Sequence, residues 1–471
     1  MNLYAVIGLQ FGDEGKGSFT QHLSILNHNK DRKNLIVRFN GGHQAGHTVV
    51  YNKTRHIFSS FGSGTLVNEP TFWSKNCTVF PPALFNEYHV LKEKGITPKI
   101  IFDPLCPVTT PYDVISNKQT NGKTKHGSTG VGFGATIKRQ EDYYKLYYQD
   151  LFNRTIAEAK MSAIKNYYEN IYGEINIDDE VDIWFKCVDA LIEDGLITQE
   201  KLAIYTNGLE NYDNIIFEGA QGILLDMDFG FFPNVTRSNT TTANIRDLIL
   251  DLGLGFGVGE QLKTFYITRT YQTRHGNGFM TNEHLSPKLI NTKNETNLDT
   301  SYQGKFRKSL LDLDLIKYAI QCDSNFGGEN EKKSIVITCV DQLPDGVISF
   351  TKNKEVFTKH IEEFKEIIKK EFGYDVYISS EEGVFDYKGD PTNQLSAKGY
   401  YGKFKLYDTT NNSIINSNGT TGTHTQGRQG NTLRYTDGIG IEYASSAKIK
   451  LSTKKSVNTG KFRNYHTIRK Y

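Results

Sequence analysis

Residues 3–9 (LYAVIGL) form a short apolar run that passes straight into a glycine-rich stretch at residues 12–17. Residues 16–26 then follow with a helix-compatible pattern. No other feature narrows the choice of fold as much. A run this short, rich in strand formers, reads as a strand buried on both faces. The glycines let the chain turn at its end, and a helix can then pack back over the sheet. The arrangement recurs. Residues 34–39 (NLIVRF), 99–102 (KIIF), 214–217 (NIIF), 264–268 and 334–338 are further strand candidates, several of them stopping at glycine or polar residues. The expectation is an α/β fold built on a large, mostly parallel sheet flanked by helices, with ligands at the carboxyl ends of the strands.

Between residues 140 and 210 the apolar residues fall instead at three- and four-residue spacing amid charges, which predicts a helical subdomain. Residues 360–372 read as an amphipathic helix leading to a strand at 375–378. Beyond residue 390, Asn, Thr, Gly, Ser and Lys dominate. Residues 1–390 are therefore read as one domain. Residues 391–471 are read as a C-terminal extension, either a small β appendage or a partly disordered tail.

With 37% hydrophobic and 23% charged residues the chain can build a sizeable core, and its net charge of +2 gives no electrostatic basis for binding nucleic acid. The basic block at 450–455 reads as a solvated tail. The five cysteines are scattered and lack CxxC spacing, which fits a reducing compartment. No apolar run reaches the length of a membrane span, and no basic leader precedes the first strand. The expected location is cytoplasmic.

Four segments carry chemistry. In Gly12-Asp13-Glu14-Gly15-Lys16-Gly17, glycine amides can converge on phosphate oxygens, with Lys16 adding a mobile charge and the following helix its positive end. It is not a Walker A loop, since position 10 is Gln and Lys16 precedes Gly17 rather than Ser or Thr. Residues 40–48 (NGGHQAGHT) place His43 and His47 four apart among glycines. Without a nearby third ligand they suit anion binding and proton donation better than a metal. Residues 127–134 (GSTGVGFG), with Lys138 and Arg139 beyond, again combine hydroxyls, bared backbone and cations. Residues 218–222 (EGAQG) follow a strand, and hydroxyl-rich residues 233–242 come after them. Each alone could be an ordinary turn.

Taken together, in this order and spacing, they resemble the adenylosuccinate synthetase family, whose segments read GDEGKG, GGHxAGHT, TTGxGxG and EGAQGxLLDxDxGxxPxVTxSNTT. Thr273-Arg274-His275-Gly276-Asn277-Gly278 looks like the family's TRxGxG segment. The resemblance covers roughly residues 1–385 and implies that family's fold. It also implies its reaction: Mg²⁺-dependent joining of L-aspartate to the 6-oxo carbon of inosine monophosphate (IMP), with GTP hydrolysis through a 6-phosphoryl intermediate.

By residue match, Asp13 is the base and a Mg²⁺ neighbour, His47 the acid or the donor that stabilises the transferring phosphoryl group, and Gln221 the residue on the purine face. The triphosphate's phosphates fall to Gly12, Glu14, Gly15, Lys16, Gly17, Gly46 and Thr48, with the Gly46 carbonyl also on Mg²⁺. The monophosphate falls to Gln44, Thr129, Arg139, Gln221 and Thr236, with Arg139 matched to the arginine that the family donates across a homodimer interface. Aspartate falls to Thr300 and Arg307, and the triphosphate base to Thr338 and Asp341.

The departures are Gln44 for the family's Asn, a single arginine in residues 299–308, Cys339 for a lysine, and residues 379–383 (SSEEG) lacking the family's Pro and Arg. They leave GTP and ATP both open. They also keep in play a specialised relative acting on another 6-oxopurine nucleotide such as dGMP, and an inactive nucleotide-binding member. Neither nucleic acid nor membrane is an expected partner.

Overall fold

A computed structural model of the chain describes residues 1–389 except 31, 125–127, 200–208, 255–261, 293–294, 296, 298, 300–303, 327–330 and 382, together with five short strands between 405 and 444. Contacts divide the chain into two compact units, Met1–Lys388 and Gly389–Tyr471.

The first unit is built on nine strands: β1 (Asn2–Gly8), β2 (Asn34–Arg38), β3 (Thr71–Trp73), β4 (Ile100–Phe102), β5 (Asn214–Glu218), β6 (Leu262–Arg269), β7 (Lys332–Thr338), β8 (Asp375–Glu381) and β9 (Val384–Phe385). They lie in the order β9-β8-β7-β6-β1-β5-β2-β3-β4. Every neighbouring pair is parallel except β8 with β9. Helices flank the sheet, so the fold is the large, mostly parallel α/β architecture expected. β3 and β9, three and two residues long, were not read from the sequence.

β1 lies at the centre, with Leu3 paired to Leu262 on one side and Ile215 on the other. Its alternate residues face two different cores. Leu3, Ala5 and Ile7 pack with Ile245, Leu248 and Ile249 of one helix and Ile316 and Ile320 of another. Tyr4 and Val6 pack with Phe19 and Leu23 of α1 (Lys16–His28). Both faces being covered explains why the run is continuously apolar. Each Leu, Ile, Val or Phe among them contributes about 1.5–3 kcal/mol by burial.

The helices Pro111–Thr124, Arg154–Tyr172 and Asp178–Glu193 help build a further core around Trp184, Ile164 and Tyr168, and the helix Phe133–Glu141 lies beside them. This helical part begins earlier than the residue-140 boundary read from the sequence. The stretch 200–208 of that reading lies outside the described residues. A four-stranded sheet, in the order Tyr271–His275, Phe306–Asp312, Val347–Lys352, Glu355–His360, continues directly from β6 and was not anticipated. The amphipathic helix begins at Ile361, with the His360 ring accepting a hydrogen bond from the Glu362 amide.

In the second unit, Lys405–Asp408, Ser413–Ile415, Thr421–Thr423, Leu433–Thr436 and Glu442–Ala444 form an antiparallel five-stranded sheet. Among the described residues no helix is long and apolar enough to cross a membrane.

Candidate functional site

The carboxyl ends of β1, β2, β5, β6 and β7 open onto one cavity of about 1890 Å³. That is well above the 300–1,000 Å³ typical of a pocket for one small ligand.

The loop after β1 is shaped by Glu14. This residue is wholly buried, and its Oε1 accepts from the Gln10 and Gly12 amides at 3.0 and 2.9 Å. Its Oε2 holds the Lys16 ammonium at 2.5 Å. Glu14 lines the cavity, and a phosphate contact there would fall to its backbone and not to its carboxylate. Its carboxylate is turned into the loop, where it organises the amides and Lys16 instead of repelling an anion. Thr338, at the end of β7, donates to the Glu14 carbonyl at 2.7 Å and ties the loop to the sheet. Helix α1 starts at Gly15 with no side-chain cap, which leaves its first amides suited to an anion.

Gly17 explains the departure from a Walker A loop. A Cβ there would stand 2.6 Å from the His47 Cβ and 2.8 Å from the Ser63 Oγ, so His47 occupies the space that a Ser or Thr would need. His47 Nδ1 lies 2.7 Å from Glu218 Oε1. Glu218 also accepts from the Ser63 amide at 3.0 Å and from the Ser63 hydroxyl. Burial raises the Glu218 carboxyl, but His47, the wholly buried Arg38 and Ser63 outweigh it and bring it down to about 2. Glu218 is thus an ionised acceptor, which places the His47 proton on Nδ1 and leaves Nε2 as the free ring nitrogen. Burial, reinforced by Arg38 and Lys16, lowers the His47 pKa despite Glu218.

Asp13, Gln221 and Cys339 line the cavity with backbone φ of 61, 56 and 59°, a region that non-glycine residues rarely adopt. Asp13 Oδ2 lies 3.4 Å from His275 Nε2. Burial raises the Asp13 carboxyl, and the His275 hydrogen bond with the charges of Arg269, His275 and Lys16 brings it below the usual range. Gln221 follows β5, and its Oε1 is buried without a partner among the described residues. Gly41 (φ 74°) lets it approach, since a Cβ there would meet Gln221 Oε1 at 3.2 Å.

Gln44, Gly46, Thr48, Thr129, Thr236, Thr338 and Asp341 line the same cavity. Both amide atoms of Gln44 are buried without partners among the described residues. Beside it, His43 stacks on Phe80 at 5.1 Å, and burial brings its pKa down to about 4.

Arg139 is not brought to the cavity, and its expected reach across an interface is corrected. It is fully buried, and its guanidinium donates to Asp113 Oδ1 and Oδ2 at 2.8 and 3.1 Å and to the Val108 carbonyl at 2.8 Å. Arg307 stands across the strand from Arg274 of the cavity wall, with its guanidinium on Glu283 and the Gly278 carbonyl. Thr300 lies outside the described residues. Sequence reasoning gave no role to Glu218, His275, Arg269 or Arg38. Glu218 alone left a signal, as an acid at the end of an apolar strand.

The fold and site define an α/β protein in which a glycine-rich loop, Asp13 and a buried His47–Glu218 pair meet at one cavity. Over residues 5–349 the chain matches the family described as adenylosuccinate synthetase. It is 32% identical over 333 residues to an adenylosuccinate synthetase of Pasteurella multocida, covering 68% of this chain and 74% of that one. It is also 32% identical over 350 residues to one of Thermoplasma volcanium, covering 72% and 75%.

Two solved structures share the fold. The fully ligated adenylosuccinate synthetase of Plasmodium falciparum has a TM-score of 0.65 at 19% identity, covering 82% of this chain and 99% of that one. A cyanophage S-2L succinoaminodeoxyadenylate synthetase, bound to dGMP and to dATP as an energy donor, has a TM-score of 0.55 at 16% identity, covering 84% and 99%. The chain belongs to the adenylosuccinate synthetase family, ligases that form a C–N bond.

Proposed function

We propose that this chain joins L-aspartate to C6 of inosine monophosphate, using a nucleoside triphosphate, GTP by family analogy, through a 6-phosphoryl intermediate. The observation that carries the reading is the placement of Asp13 and the His47–Glu218 pair on one cavity with room for more than one nucleotide.

The purine 6-oxygen is a poor leaving group, and phosphorylating it makes it a good one. Asp13, an ionised carboxylate at neutral pH, takes the N1 proton as the 6-oxygen attacks the γ-phosphorus and the β–γ bond breaks to release the nucleoside diphosphate. His47 Nε2 faces the transferring phosphoryl group. The negative charge of a bound triphosphate raises the ring's proton affinity toward the donor form, and Glu218 stabilises the cation that results. Gln221 holds the purine where charge develops, and the loop amides with Lys16 cradle the phosphates. The neutral amine of aspartate then bonds to C6, the C6–O bond breaks, and phosphate leaves with the proton that the amine gives up.

Mg²⁺ suits this site. Among the described residues no cluster of three His, Cys, Asp or Glu would cage a metal unaided. Mg²⁺ commonly rests on one or two protein oxygens plus phosphates and water. The Asp13 carboxylate and the Gly46 carbonyl would hold it, and when bound it would neutralise charge on the phosphates. A homodimer remains part of the proposal on family grounds, without Arg139 as its bridging residue.

The test is a matrix of 6-oxopurine monophosphates, ribo and deoxy, against GTP and ATP with aspartate and Mg²⁺, read as phosphate release and succinyl-purine absorbance. IMP with GTP is expected to be the most active pair. No turnover with any pair would refute the ligase reading.

A further inference from the structure

We propose that His275 is a positioning residue for Asp13: its Nε2–H holds one carboxylate oxygen so that the other is presented to the purine N1 proton. The inference rests on the ligase reading above.

A carboxylate turns readily about its last torsion, so an unrestrained Asp13 would not select which oxygen meets the substrate. Arg269 does not restrain it. Its Nε donates to the Asp13 backbone carbonyl, and its Nη1 goes to Tyr271 Oη and Glu295 Oε2 at 2.6 and 2.8 Å. Lys16 is held by Glu14. Among the side chains, His275 Nε2, 3.4 Å from Asp13 Oδ2, is the one placed to do so, and it would share the carboxylate with Mg²⁺ when the metal is bound. That contact is at ion-pair distance and is not yet an aligned hydrogen bond, as is common before substrate closes a site.

The ring is itself held in place. His275 ends the strand Tyr271–His275 opposite Phe306, and the two rings pack at 4.8 Å. A second acceptor, Asn297 Oδ1, also lies 3.4 Å from Nε2. Two acceptors on one nitrogen place the proton there. The opposite ring nitrogen, Nδ1, is buried without a partner among the described residues, so nothing competes to turn the ring over. Histidine stands at the variable position of the TRxGxG segment. The contact therefore belongs to this chain and not to the segment's pattern.

The experiment compares full-length His275→Val and His275→Gln in wild-type and Asp13→Ala backgrounds by steady-state kinetics. Val removes the donor, whereas the Gln amide nitrogen reaches about as far as Nε2. His275→Val is expected to lower kcat about 10- to 100-fold, as for a misplaced reacting group. Its KM values for both nucleotides and for aspartate should stay within about twofold. His275→Gln should recover most of that loss, and on Asp13→Ala the Val substitution should add nothing.

A wild-type kcat in His275→Val, a loss confined to KM, or an equal loss on both backgrounds would overturn the inference. Should His275→Val fail to fold, His275→Asn, whose amide falls short of Asp13, is expected to show the same deficit relative to His275→Gln. An inactive wild type overturns the ligase reading and this inference with it. An active wild type with indifferent variants overturns the inference alone.

Discussion

At Gly17 the residue is chosen by a neighbour 30 positions away, because His47 fills the space where a side chain would go. His47 in turn depends on Glu218, which fixes its Nδ1 proton and steadies the charged ring. Glu218→Gln keeps the shape but can turn its NH₂ toward His47 and demand the other tautomer. By analogy with carboxylate–histidine pairs elsewhere, kcat should fall about 10²- to 10⁴-fold with little change in nucleotide KM. Phosphate-release kinetics decide this, and an unchanged kcat would remove Glu218 from the mechanism. The same carboxylate was quoted in the sequence only as the start of EGAQG. Its role was hidden because its partners, His47, Ser63 and Arg38, come from three other segments.

Among the elements, the helical part is held by a pair first read as functional. Arg139, on the helix Phe133–Glu141, is satisfied by Asp113 of the helix Pro111–Thr124, which also accepts from Tyr168 Oη at 2.7 Å and from the Thr110 amide and hydroxyl at 2.7 and 2.8 Å. Arg139→Ala leaves a buried carboxylate unpaired and should lower stability by about 3–5 kcal/mol, measured by urea unfolding. Unchanged stability with a raised monophosphate KM would restore a role in binding.

Helix α1 is tied down by His22, whose Nε2 donates to the Tyr387 carbonyl at 2.8 Å beyond β9. Burial lowers the His22 pKa, and the nearby Lys388 adds to this. The unfolded chain therefore binds this proton more readily. The stability held by neutral His22 is complete above the ordinary histidine pKa of about 6.5 and is lost as pH falls through the lower folded value. His22→Gln should thus show a shallower fall in Tm between pH 7.5 and 5 than wild type. Parallel curves would contradict this.

At the scale of the whole molecule, the cavity and all three cores belong to Met1–Lys388. Deletion after Asp390 keeps Phe385 and Tyr387 in their core. It should leave a protein with wild-type Tm and kcat, assessed by thermal melt and phosphate release. Insolubility or lost turnover would mean that residues 391–471 complete the enzyme. The cavity sits at the carboxyl edge because five parallel strands end there, and their loops supply its amides and acids.

The α/β class, the central strands and the loops that meet at the cavity were all determined by local sequence. Strand periodicity, glycine placement and loop chemistry act over a few residues and survive being read in one dimension. Tertiary structure decided the direction in which each side chain is used. Glu14 turns into its own loop and Arg139 into its own helices. Glu218 stands behind His47, and His275 faces Asp13. A buried charge must find a partner, and that partner is supplied by whichever segment the fold brings alongside.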